Sequence, residues 1–187
     1  MRSNFLARTD SGALRIKPNT DLSARQRKTF GNRLLKLAAY LSKLPSKNYN
    51  HAYLVETIHA KKPACGAVAC AFGHAVISGQ FKDINVRAKF KFNPEDNICE
   101  MYRDEIDFEV KNVKKLAERL NALDREKIYK PEYISEDNME NPADVYFGPG
   151  TWDAVFDECA YTIGYPKKSV VVNRIRKLAD KCYGVKA

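Results

Sequence analysis

Apolar residues along this chain recur with two different periods, and the change of period maps its elements. Phe30, Leu34, Leu37, Ala38, Leu41 and Leu44 return every three or four residues, the single stripe of an amphipathic helix. Asp21 or Ser23 offers a side-chain oxygen to cap its start near Ala24. Pro45 ends it, because the residue before a proline is pushed out of helical geometry. The opposite face carries Arg25, Lys28, Arg33, Lys36 and Lys43. After a polar turn at 46–50, Ala52 to His59 reads as a short helix broken by Lys61-Lys62-Pro63. A further helix is expected to start between Pro63 and Gly66 and to run to Ile77, with Gly79 as its stop.

The period then falls to two. Val86, Ala88, Phe90 and Phe92 alternate with polar residues, residues 93–97 form a turn, and Ile98 to Val110 returns as the second strand of a hairpin. Helical spacing resumes at Val113, Leu116, Ala117, Leu120 and Leu123. Residues 124–145 read as an irregular acidic connection. Gly148-Pro149-Gly150 lacks the later glycine and the Lys-Ser/Thr pair of a phosphate loop, and reads as a turn leading into a helix. Thr151 is expected to cap that helix through Trp152, Val155, Phe156, Cys159, Ala160 and Ile163. Ser169 opens a last helix striped by Val172, Ile175, Leu178, Ala179 and Cys182. No internal repeat is present. The sum is an α+β fold, a mostly helical single domain with one small antiparallel β-hairpin. Residues 1–20, interrupted by Gly12 and Pro18, form a basic N-terminal arm, and residues 21–187 the globular domain.

Composition narrows the class. A chain of 187 residues, 44% hydrophobic and 29% charged, supports one sizeable core. No apolar run approaches the roughly 18–20 residues of a membrane span, and the first residues lack the apolar core of a secretory signal. The expectation is a cytoplasmic protein with reduced thiols and no membrane partner, and five irregularly spaced cysteines argue against a disulfide framework. Charge is uneven. Residues 1–48 hold eleven Lys/Arg against two Asp/Glu, residues 93–158 eight against eighteen, and residues 159–187 seven against one. Such a gradient steers a charged partner, so Arg25, Lys28, Arg33, Lys36 and Lys43 are candidates for contacting a nucleic acid or an acidic protein. The aromatics Tyr146, Phe147, Trp152, Phe156, Tyr161 and Tyr165 lie in the acidic part, which would repel phosphates, so a core or protein-contact role is expected of them.

Candidate chemistry concentrates in residues 64–76. On one continuous helix Cys70 and His74, four apart, would share a face and could offer two ligands to zinc. Cys65 joins them only if the chain is still a loop there, and a fourth ligand would come from His59, His51 or Cys99. The spacing C-x4-C-x3-H is not a usual structural zinc pattern, so no cofactor is expected and zinc is the exception. Cys65 at a helix start beside Lys61 and Lys62 is the candidate nucleophile, with His59 or His51 as base. No histidine follows His74. The third reading is packing: the segment is apolar almost all round, as befits a helix at the centre of a domain.

Residues 65–75, Cys-Gly-Ala-Val-Ala-Cys-Ala-Phe-Gly-His-Ala, resemble small phage and bacterial proteins of unknown function that carry C-G-T-x-A/G-C-x-x-G-H/W-A, with Ala67 here in place of threonine. The likeness extends faintly to Leu41–Pro45, Tyr146–Gly148 and Val172–Ile175. It implies a phage or bacterial cytosolic origin and no established activity, so no catalytic residue is carried over from it. The leading expectation is a small accessory protein that binds a protein or nucleic acid through its basic N-terminal region. The alternative is a cysteine- or zinc-dependent enzyme centred on Cys65, Cys70 and His74.

Overall fold

The computed structural model describes residues 6–8, 14–52, 55–57, 68–91, 104–124, 128–136, 138–157, 161 and 165–186. Helix α1 (Ala24–Lys43) starts at Ser23 in a full capping box: the Gln26 backbone amide donates to the Ser23 hydroxyl at 3.3 Å, and the Ser23 backbone amide to the Gln26 side-chain Oε1 at 2.9 Å. It stops where Leu44 turns extended ahead of Pro45. Its inner stripe of Phe30, Leu34, Leu37, Ala38 and Leu41 is buried.

That stripe lies along α5, the last helix (Lys168–Tyr183), which buries Val171, Val172, Ile175, Leu178, Ala179 and Cys182. The pair is antiparallel. At one end Lys168 donates to the Leu44 carbonyl; at the other Gly31 meets the chain just past α5, where a Cβ would stand 2.5 Å from Val185 Cγ2. Helices α2 (Ala71–Ile77), α3 (Val113–Leu123) and α4 (Glu140–Phe147) are the other α-helices among the described residues.

The expected hairpin is β5 (Val86–Lys91) against β6 (Asp104–Val110), antiparallel with Val86 opposite Val110 and Ala88 opposite Phe108; Phe92, the expected turn at 93–97 and the expected strand start at Ile98 lie outside the described residues. Between these apolar pairs the register sets Arg87 opposite Glu109, and their side chains form an ion pair at 2.6 Å. Two short strands extend it to a four-stranded sheet ordered β4-β3-β6-β5, with β3 at Val55–Thr57 and β4 at Val68–Ala69. A separate two-stranded ribbon, β1 (Leu6–Arg8) with β2 (Leu14–Ile16), lies within the expected N-terminal arm, and Ile16 packs on the core. The mostly helical α+β class therefore stands.

Four expectations are corrected. Residues 55–57 are strand, not helix, because Glu56 pairs with both Val68 and Glu105. The segment after Pro63 is still extended at Val68–Ala69, so its helix begins only at Ala71. The acidic connection contains α4, hidden by Pro142. That proline stands third in the helix, where its missing N–H would have had no intrahelical acceptor. Last, Thr151 heads no regular helix over the described residues: Trp152–Phe156 is one π-turn, the chain is extended again at Asp157, and Cys159, Ala160 and Ile163 lie outside the described residues. The Thr151 hydroxyl donates back to the Gly148 carbonyl at 2.7 Å and so caps nothing.

Helix α2 sits in the middle of the core, as its all-round apolarity predicts. Phe72 is fully buried, with its ring 5.5 Å from those of Trp152 and Phe156 and 6.3 Å from Phe108. Among the described residues no helix is long and apolar enough to cross a membrane.

Candidate functional site

Two regions compete for function, and the Cys-Gly-Ala-Val-Ala-Cys segment is the first. Because β4 runs to Ala69, Cys70 is the N-cap of α2 rather than a residue within it, and its sulfur accepts from the Gly73 amide at 3.4 Å. Cys70 and His74 are thus not two residues of one helix face. Cys70 is 3% exposed, and burial pushes its thiol up to about 11 despite amide donation from Gly73, Phe72 and its own N–H. A group so placed is a small hydrophobe and a weak cap, not a thiolate nucleophile.

His74 is equally buried. Its Nε2 donates to the Asn48 carbonyl at 2.7 Å, which fixes the proton on that nitrogen and leaves Nδ1 without a partner among the described residues. Burial lowers its basicity, the Asn48 carbonyl works against that, and the charge of Lys168 lowers it further. The ring is held neutral. His51 is also spoken for: Nε2 donates to the Asp157 carbonyl at 3.3 Å, Nδ1 accepts from the Tyr49 hydroxyl at 3.1 Å, and the ring meets Tyr161 edge-on at 4.9 Å. Tyr49 is pushed far up by burial and by the nearby Cys70 and Tyr161. The cluster is a clasp, with His51 buried at its centre, that ties the chain at 49–51 to Asp157 and Tyr161. Among the described residues no three His, Cys, Asp or Glu side chains gather as they would around a metal ion. His59, Cys65 and Cys99 lie outside the described residues.

A buried carboxylate escaped the sequence reading. Asp144 on α4 is 3% exposed and accepts from the amides of Gly150 at 2.7 Å and Trp152 at 2.9 Å, closing the Gly-Pro-Gly turn on itself. Burial raises its pKa to about 7; the two amides pull it down, and Glu140 and Asp153 push it up. The turn it holds admits only glycine at 148, where φ is +110° and a Cβ would stand 2.0 Å from the Tyr183 hydroxyl. This is a brace for the backbone.

The second region is the outer face of α1 and α5. α1 carries six basic and no acidic residues, and α5 five basic and one acidic. Arg25, Lys28, Asn32, Lys36, Ala39 and Lys43 are exposed at three- and four-residue spacing, a solvent-facing stripe along the whole of α1. Of the five cations expected there, four lie on this stripe. Lys36 also donates to the Gln80 carbonyl at 2.7 Å, while remaining exposed. Arg33 departs from it: half-buried, it donates to the Tyr146 carbonyl at 2.7 Å and stacks 4.1 Å over that ring, tying α1 to α4. Burial lowers its pKa, Tyr146 and Asp83 act against that, and Arg119 adds to it.

The structure adds Arg176 and Lys177, both exposed on α5. Arg176 donates across the exposed helix seam to the Ser42 hydroxyl at 3.2 Å. Lys181 is offset in place by Asp180 at 3.4 Å. The signal for these residues was present, since the last helix carries five basic residues against one acidic. What the sequence withheld was that α5 lies beside α1. No family model, curated protein or solved structure matches the chain.

Proposed function

We propose that this chain is a small accessory protein, of the phage or bacterial type its cysteine segment resembles, that binds nucleic acid through the outer face of α1 and α5. The observation that carries the reading is the exposed run Arg25, Lys28, Lys36 and Lys43, on a helix without one acidic residue, continued by Arg176 and Lys177 of α5. Six exposed cations on two adjoining helices release counterions when they meet phosphates, so affinity falls steeply with salt. Electrostatic complementarity of this kind also speeds encounter. Lys28→Glu with Lys36→Glu, measured by fluorescence anisotropy on a mixed-sequence oligonucleotide, should lose at least tenfold in affinity. An affinity unchanged between about 50 mM and 200 mM salt would remove the reading.

A further inference from the structure

We infer that the nucleic acid this face takes is a duplex, held by its phosphate backbone without reading of base sequence. The inference rests on the proposed nucleic-acid function and specifies its ligand. Three observations carry it.

The first is rigidity. From Arg25 to Lys43 the stripe runs about 27 Å, at about 1.5 Å per residue. Along that length α1 is anchored from beneath by Phe30, Leu34, Leu37, Ala38 and Leu41. Cations projecting in a line from a straight, firmly packed helix suit a stiff rod whose phosphates stand in regular rows. A flexible strand gains nothing from the line.

The second is chemistry. Single strands are held by bases stacking on aromatic rings, which carry much of that affinity. The exposed stripe offers Arg, Lys, Asn and Ala, and no ring. Among the described residues the exposed large hydrophobics are Ile128, Tyr133, Tyr165 and Val170; Val170, which has no ring, is on α5, and none is on the α1 stripe. Tyr40 of α1 is half-buried, with its ring against that of His74.

The third is shape. A lone helix with its side chains is about 10–12 Å across and enters a major groove about 12 Å wide. Here α5 lies alongside α1, and Arg176 reaches Ser42 across the open seam. Two helices side by side, about 8–10 Å between axes, make a slab too broad for the groove. The slab rests across the phosphate ridges, and base edges stay out of reach.

The experiment uses the full chain with labelled probes of about 20 nucleotides: two duplexes of unrelated sequence and one single strand. Each is titrated from about 50 to 200 mM salt. The expected result is that both duplexes bind alike and at least tenfold more tightly than the strand. Six phosphate contacts give a slope near −5, so duplex affinity should fall about a thousandfold over that range. Single-strand binding equal to or tighter than duplex binding overturns the inference, and so does a tenfold preference between the two duplexes. In both cases the nucleic-acid reading survives. Absence of binding to every probe overturns that reading as well.

Discussion

Cys70 and Lys36 stand for two regions that the fold treats in opposite ways. Cys70 belongs to the most distinctive stretch of the chain, and the structure spends it on packing: a buried sulfur, a weak cap, a thiol pushed up to about 11. Lys36 belongs to a bland helix, and the structure leaves it on an exposed cationic line with Arg25, Lys28 and Lys43. Reactive residue types count for chemistry only where water, a base or a ligand can reach them. His74 repeats the lesson, with one ring nitrogen committed to the Asn48 carbonyl and the ring held neutral by burial.

The contrast is sharpened first by Phe72→Ala. Phe72 is fully buried among three aromatic rings at the centre of α2's contacts. Its loss should cost about 3–5 kcal/mol, read from denaturant midpoints. A cost below about 1 kcal/mol would mean that α2 is not the packing centre.

Asp144 comes next, through pH. Its folded pKa of about 7 lies above the ordinary 3.8, so the fold favours the protonated form. Its stabilising contribution is full below the unfolded value and is lost as pH rises through about 7. Wild type should lose about 2 kcal/mol relative to Asp144→Asn between about pH 5 and pH 8, and taking the difference cancels the opposing titration of His74. Parallel pH profiles for the two proteins would contradict the buried-carboxyl account.

Cys70→Ala has a smaller effect, about 1 kcal/mol of stability from a lost cap and a small void. Nucleic-acid affinity should stay unchanged. A Cys70→Ala protein that keeps its melting temperature but loses binding or any activity would break the comparison outright. Least of all, Lys28→Glu and Lys43→Glu should move stability by no more than about 0.5 kcal/mol, since both residues face solvent.

Much of this contrast was legible beforehand, for identifiable reasons. The period-3.6 stripe of α1 and its proline stop are local and appear as read, and of the two candidate caps, Asp21 and Ser23, the structure uses Ser23. The β5–β6 alternation is likewise local. Misreadings arose where tertiary partners overrode local preference. Glu56 and Val68 look helical in sequence until each finds the other across a strand pair. Pro142 disguised α4, and Asp144, the residue that holds the following turn, gave no signal because its partners are backbone amides. The cationic stripe was visible on α1 alone; its breadth depends on α5 lying beside it, a contact between residues more than a hundred positions apart.

The most direct test of the account is duplex affinity of the Lys28→Glu/Lys43→Glu protein, measured beside wild type at about 50 mM salt. The account predicts at least a tenfold loss, with the melting temperature unchanged. Full affinity in that folded variant would contradict it.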